Sequence, residues 1–326
     1  MKAIVFERYG PPEVLQLKEV ERPIPKDNEV LVEVHAAAVN PFDWHRMRAS
    51  PFLVRMGGGF RKPKDPRLGA DVSGRVEAVG RAVTRLKPGD EVFGFAHGSF
   101  GEYATAAEDD LATKPANLSF DVAAAAPMAA LTALKGLHDQ GHVQPGQKVL
   151  INGASGGVGS FAVQIAKSYG AEVTGVCSTR NLELVRSIGA DHVIDYSRED
   201  FTRSGPEYDL ILDAVGNHSV SQYKRALRPG GTGVVVGFTS MLRLMRVILR
   251  GKLTSKSASK SVRMMMMRPV PEDRATLAEL LGSGKVVPLI DRRYPLAQVP
   301  EAIRYLEQGH ARGKVVITVR PDPTTG

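Results

Sequence analysis

Over about the first 120 residues, apolar positions fall in short or alternating runs: Ala3–Phe6, Glu29–Ala37, Val72–Val79 and Asp90–Phe95. Turn formers divide them, among them Gly10-Pro11-Pro12, Pro63 and Lys87-Pro88-Gly89-Asp90. Runs bounded this way predict strands of a β-rich barrel or sandwich. The texture changes near Asp121, where DVAAAAPMAALTALKGL is alanine-rich and predicts helix. From Gln147 onward strands and helices alternate. KVLIN predicts a buried strand; in the helix that follows, Val158, Ala162, Ile165, Ala166 and Tyr169 share one face. AEVTGVCS, ADHVIDY, YDLILDAVG and GTGVVVGF read as further strands, and NLELVRSIGA as a helix stopped by Gly189. Near-continuous apolar strands separated by helices predict an α/β fold with a parallel sheet covered on both faces. Beyond about residue 270 the pattern predicts a helix over 271–284, a strand over Val286–Ile290, a helix over 299–308 and a last strand over Lys314–Val319.

Length adds that the 326 residues make about two domains. With 43% hydrophobic and 24% charged residues the composition is that of an ordinary globular protein. The single cysteine, Cys177, excludes an intramolecular disulfide and any four-cysteine zinc site. No uncharged apolar run reaches the roughly 18 residues of a membrane span, and MKAIVFERYGPPEVLQL lacks a signal-peptide core. A reducing, cytoplasmic setting is the expectation. The formal charge of +8 is uneven: no acidic residue lies between Asp213 and Glu272, a stretch holding Arg243, Arg246, Arg250, Lys252, Lys256, Lys260, Arg263 and Arg268. Such asymmetry suits an anionic partner or a solvated face.

The candidate chemistry begins at KVLINGASGGVG. Ala154, Gly156 and Gly159 hold the three small positions of a dinucleotide-binding turn, with Ser155, Gly157 and Val158 between them. A small residue permits the tight turn, Gly156 lets backbone approach a pyrophosphate, and Gly159 lets helix and strand close up. At the end of the next strand an NAD site needs a carboxylate for the ribose 2′-hydroxyl. Here the chain reads Ser178-Thr179-Arg180, hydroxyls followed by a guanidinium. That suits a 2′-phosphate, so NADPH is the expected cofactor.

With GASGGVG, SIGADHVIDY, LDAVG and ARGKVVITV, preceded by AAVNPFD, GADVSGRVEAVG and KPGDEVFG, the sequence resembles the medium-chain dehydrogenases/reductases, specifically their zinc-independent quinone oxidoreductase group. The resemblance implies a GroES-like catalytic domain over 1–122 and 271–326, interrupted by a doubly wound Rossmann domain over 123–270. Zinc alcohol dehydrogenases of this superfamily carry a cysteine where Asn40 stands and a His-Glu pair where Ala70-Asp71 stand, so no metal is expected. Asp43 and His45 lie in that neighbourhood and read as hydrogen-bonded loop residues. The resemblance places Asn40 and Thr132 at the nicotinamide, Ser178 and Tyr196 at the adenosine phosphate, Val215 and Gly216 at the ribose, and Gly237 and Phe238 at a strand end beside the cofactor. It also implies a homodimer, with Met264–Met267 in the edge strand of the nucleotide domain; the rival reading of these four residues is a plastic lining of the substrate cleft.

Without zinc, hydride transfer is left with acceptors that spread their own developing charge, such as quinones and α,β-unsaturated carbonyls. Tyr103 is a candidate proton donor or relay, set against a structural role. Two other classes compete. MLRLMRVILRGKL, within 241–253, puts Arg243, Arg246 and Arg250 opposite Leu244, Met245, Ile248 and Leu249. That face can meet an anionic membrane surface, as a peripheral or regulatory NADPH-binding protein of this fold would require, or flank a cleft. The same basic run can meet phosphates, but without interleaved aromatics no nucleic acid is expected.

Overall fold

The computed structural model describes residues 1–50, 54–203, 205, 207–237, 259–265 and 270–321. It divides into two units: Met1–Met128 with Val270–Gly282 and Pro288–Gly326, and Ala129–Pro269 with Ser283–Val287. The first unit carries the hairpin β1 (Lys2–Val5) and β2 (Gln16–Glu19). Its main strands are β3 (Glu29–Val39), β4 (Asp71–Val79), β5 (Glu91–Phe95), β6 (Tyr103–Ala107) and β7 (Leu111–Thr113), with β14 (Ile290–Pro295) and β15 (Lys314–Thr318) from the far end of the chain. They run in the order β14-β15-β3-β4-β5-β7, with β6 also on β3. Val30, Val32, Val34, Val72, Val76 and Val92 fill one core, in step with the period of two. Ile4, Phe6, Met47, Phe100, Ile303 and Ile317 fill a second.

The second unit is the expected parallel sheet. Its strands are β8 (Lys148–Asn152), β9 (Glu172–Cys177), β10 (His192–Asp195), β11 (Tyr208–Asp213), β12 (Leu227–Val235) and β13 (Ser261–Met264), in the order β10-β9-β8-β11-β12-β13. All these pairings are parallel. The order reverses between β8 and β11, and in such sheets ligands bind outside the carboxyl ends at that reversal.

Three expectations shift. The alanine-rich segment breaks at Pro127 into helices Phe120–Ala124 and Pro127–Lys135, and the first belongs to the catalytic unit. There the Phe120 ring stacks on His35 at 4.1 Å, and Asp121 accepts hydrogen bonds from Arg293 and Thr318. The strand expected over Val286–Ile290 forms instead at Ile290–Pro295. The apolar run before it serves the other unit: Val286 is buried, and the backbone of Val287 both donates to and accepts from the Gln164 amide. Of the four methionines only Met264 lies in β13, the sheet's edge strand; Met265 is buried just beyond it, and 266–267 lie outside the described residues. The basic amphipathic stretch 241–253 also lies outside them.

Candidate active site

In the nucleotide unit the turn after β8 folds as its glycines require. The N–H groups of Gly153 and Ala154 both donate to the Val176 carbonyl of β9, at 3.1 and 3.0 Å, and Ala154 is buried. Helix Gly157–Ser168 follows, capped by Gly156 with no side chain on its first amides. Those amides and the helix dipole favour an anion. The two motif glycines differ in kind. A Cβ on Gly159 would lie 2.0 Å from the Gly153 carbonyl oxygen, whereas one on Gly156 would meet nothing closer than 3.4 Å. Gly159 is needed by the fold, and Gly156 leaves open the space a pyrophosphate would take. Ser155, Gly157 and Val158 are half-buried, and Ser155 Oγ accepts from the buried Asn181 amide at 2.9 Å.

Beyond β9, Ser178 is half-buried while Thr179 and Arg180 are exposed. The Thr179 hydroxyl donates to Asp195 Oδ2 at 2.5 Å, and Asp195 Oδ1 accepts from both the amide and the hydroxyl of Ser197. Hydrogen bonds from Thr179 and then Ser197 hold the Asp195 carboxyl below the usual carboxylate range. Of the hydroxyl pair, Thr179 is thus committed inward. The Tyr196 amide donates to the Cys177 carbonyl, which brings its exposed ring to the end of β9. Arg198 and Arg203 border the same hollow as Tyr196, two guanidiniums that the run DYSREDFTR held unnoticed.

At the sheet reversal a second cradle forms. Asp213, the last residue of β11, accepts from the amides of Val215 and Gly216 at 2.7 Å each, from Asn152 Nδ2 at 2.9 Å and from the Tyr223 hydroxyl at 2.6 Å. Burial raises its pKa, but hydrogen bonds, chiefly from His218 and Tyr223, outweigh burial and keep it lowered. This carboxylate shapes the loop at Val215 and Gly216. Gly237 joins it through its amide on the Asp213 carbonyl at 3.3 Å. Phe238 lies outside the described residues. Thr132 sits half-buried on helix Pro127–Lys135 of this unit.

In the catalytic unit, Asn40 ends the line of β3 and caps helix Pro41–Arg48. It is buried, and its amide points inward: Nδ2 donates to Asp71 Oδ2 at 2.9 Å and to the Ala38 carbonyl at 3.2 Å, and Oδ1 accepts from Lys314 Nζ at 2.5 Å. Lys314 Nζ also reaches Asp71 Oδ2 at 3.3 Å, and Asp71 Oδ1 accepts the Met128 amide. Asp43 Oδ2 accepts the Asn40 amide at 2.8 Å, while its Oδ1 is buried with no hydrogen-bond partner. Burial first, then the Asp71 charge, push the Asp43 carboxyl up to about 7 against the pull of the Asn40 amide. Burial likewise raises Asp71, opposed by Lys314. His45 Nδ1 lies 2.5 Å from the Ser50 carbonyl and its ring stacks on Trp44.

Zinc does not fit these residues. The positions of the thiolate and the His-Glu pair hold a carboxamide, a methyl and a carboxylate, and an ammonium lies against the two that carry oxygen. Among the described residues no three His, Cys, Asp or Glu side chains group as a metal cage. Tyr103 is not part of this cluster. It pairs with Glu33 on β3, and from residue 33 to 40 the strand advances about 20 Å. The Arg22 guanidinium covers its ring at 3.8 Å and that of Arg320 stands at 5.1 Å, a structural clamp. Lys314 and Asp213 were the residues the sequence reading passed over. Each is a charge at the end of an apolar strand, in GKVVIT and LILDAVG, which was the available signal.

Residues 26–116 match the alcohol dehydrogenase GroES-like domain, and 188–317 the zinc-binding dehydrogenase family. The human NAD(P)H oxidoreductase RTN4IP1, mitochondrial, is 36% identical over 98% of this chain and 89% of its own length. The chloroplastic NADPH-dependent alkenal/one oxidoreductase of Arabidopsis thaliana is 35% identical over 97% and 79%. The solved quinone oxidoreductase of Coxiella burnetii superposes with a TM-score of 0.86 at 34% identity, covering 98% of this chain and 99% of that one. Sequence and fold agree along the whole chain, and the nucleotide turn fits a nicotinamide cofactor. The chain belongs to the medium-chain dehydrogenase/reductase superfamily, as an oxidoreductase of its quinone oxidoreductase-like group.

Proposed function

We propose that the protein transfers hydride from NADPH to a quinone or an α,β-unsaturated carbonyl without zinc. The observation that carries this reading is the Asn40–Asp71–Lys314 network. Side chains at metal-ligand positions are spent on one another, so no bound Lewis acid is available to hold an alkoxide. An acceptor must then delocalise its own charge, as conjugated carbonyls and quinones do. The names of the Arabidopsis and Coxiella relatives, an alkenal/one and a quinone oxidoreductase, support the same acceptor classes.

When bound, NADPH supplies the hydride from its nicotinamide. The protein's residues bind and orient. The amides at the start of helix Gly157–Ser168 take the pyrophosphate, and the loop shaped by Asp213 takes the ribose. Ser178, Arg180 and Tyr196 take the 2′-phosphate; β9 ends in no carboxylate of its own, and the Asp195 carboxylate beside it is tied to Thr179 and Ser197. The family resemblance assigns Asn40 and, separately, Thr132 to the nicotinamide, and the proton that completes reduction comes from solvent.

Two or three charge-assisted bonds to the phosphate supply about 2–4 kcal/mol, or a ~30- to 1000-fold preference for NADPH over NADH. Titration of both cofactors should show that preference, and Arg180→Ala should erode it. Cofactor oxidation against quinones, enones, enals and simple alcohols should run with the conjugated acceptors only. Equal dissociation constants would remove the NADPH assignment. Turnover of ethanol or benzyl alcohol with every conjugated acceptor ignored would remove the acceptor class. Tight NADPH binding with no turnover across the panel would favour the regulatory reading.

A further inference from the structure

The buried ammonium of Lys314 has a meaning beyond the absence of zinc ligands. Its side chain is 4% exposed and rises from the first residue of β15, after Gly313, whose backbone runs so close to Leu289 that a Cβ would sit 2.4 Å from the Leu289 carbonyl oxygen. The Lys314 amide donates to that same carbonyl at 2.8 Å, which pins the residue in register. From there Nζ reaches Asn40 Oδ1 and Asp71 Oδ2, oxygens at two positions that hold metal in the zinc alcohol dehydrogenases. A third oxygen-bearing side chain, Asp43, is fully buried on the other side of Asn40, with Oδ1 unpartnered.

We propose that Lys314 is the resident cation of this site: its ammonium takes the place and the charge of the metal and keeps a metal out. The chemistry of the donors supports it. Zinc wants thiolate or imidazole at about 2.0–2.3 Å, whereas an ammonium wants oxygen acceptors at ordinary hydrogen-bond distances. The cluster offers carboxamide and carboxylate oxygens, at 2.5 and 3.3 Å. The ammonium also sorts the Asn40 amide, drawing Oδ1 to itself and leaving Nδ2 for Asp71 and Ala38. An ordinary buried ion pair would share the stability and its void could be refilled by an alkylammonium, but it would not admit a metal ion in its place. The inference rests on the catalytic unit alone and not on which acceptor the enzyme reduces.

The test removes the cation and offers others. Lys314→Ala leaves a void the length of propylammonium beside an uncompensated Asp71. The full chain should melt about 10 °C lower. Both n-propylammonium and Mn²⁺, a metal suited to carboxylate and carboxamide oxygens, should restore at least half of that loss, while tetramethylammonium, which has no N–H donor, should not. Wild type should be indifferent to all three and carry no stoichiometric metal by mass spectrometry. Where Lys314→Ala fails to fold, Lys314→Met combined with Asp71→Asn removes both charges; it should melt above Lys314→Met alone and ignore every added cation. Three results would overturn the proposal: a Lys314→Ala variant as stable as wild type, one destabilised but not rescued by Mn²⁺, or wild type holding one zinc per chain. Turnover is not read, so failure of the acceptor assignment would leave these outcomes unchanged.

Discussion

Asp43 shows how much one buried oxygen can decide. Its carboxyl is pushed up to about 7, first by burial, with Asp71 adding repulsion and Lys314 and Arg46 opposing it. The folded protein therefore keeps a proton that the unfolded chain releases above its ordinary value of 3.8. The stability this provides is complete below about pH 4 and is lost as pH climbs to about 7. Asp43→Asn keeps an acceptor for the Asn40 amide and cannot ionise. Relative to wild type it should gain about 2 kcal/mol between pH 5 and 8. Melting curves across that range should diverge with rising pH; parallel curves would mean that Asp43 does not titrate there. At this scale the sequence was only partly readable. Asn40, Ala70 and Asp71 mark a site without zinc ligands through the resemblance to zinc alcohol dehydrogenases, which carry a cysteine and a His-Glu pair there. The partner that fills it lies 243 residues beyond Asp71, and no local pattern links the two.

At the scale of elements, the turn after β8 separates two demands that one motif hides. Gly156 and Gly159 look alike in the sequence, yet an added methyl makes only an ordinary contact, 3.4 Å from the Gly153 carbonyl oxygen, at the first and lies 2.0 Å from that oxygen at the second. Gly156→Ala should keep its melting temperature within a degree or two and lose NADPH affinity at least tenfold, since the methyl fills ligand space. Gly159→Ala should lose about 1–3 kcal/mol of stability as well, through overpacking. Calorimetric binding alongside thermal melts tells the two apart, and equal stability losses would contradict the contact geometry. The βα alternation was legible because each parallel strand, buried on both faces, is an unbroken apolar run. The same cue misled at Val286–Ile290. There apolar residues anchor a crossing segment by way of Gln164, and the strand falls on IDRRYP, whose exposed arginines disguise it.

For the whole molecule, the telling fact is that the catalytic unit is assembled from three separate stretches of chain. Within it, β15 lies between β14 and β3, so it is not an edge that can be trimmed. A chain stopped after Gly313 would leave residues 36–39 of β3 with β4 on one side only, while β6 still pairs residues 29–33, and would leave Asp71 without its cation. Such a truncation should lose cooperative melting of the catalytic unit, while the nucleotide unit, whose strands end at Met264, keeps its parallel sheet. Hydrogen exchange would read this as protection lost in β3 and β4 but retained in β8 and β11; protection retained in all four would show that β15 is dispensable. That discontinuity also sets a clock. During synthesis, at about 5–20 residues per second, the gap between Asp71 and Lys314 takes roughly 10–50 s to translate. Through that interval the nascent catalytic half must hold the Asp71 carboxylate and an open strand edge without their final partners, while every strand of the nucleotide sheet is translated before Lys314. The newborn chain therefore has most need of a chaperone, or of solvent at its half-built edge, just before its last strand arrives.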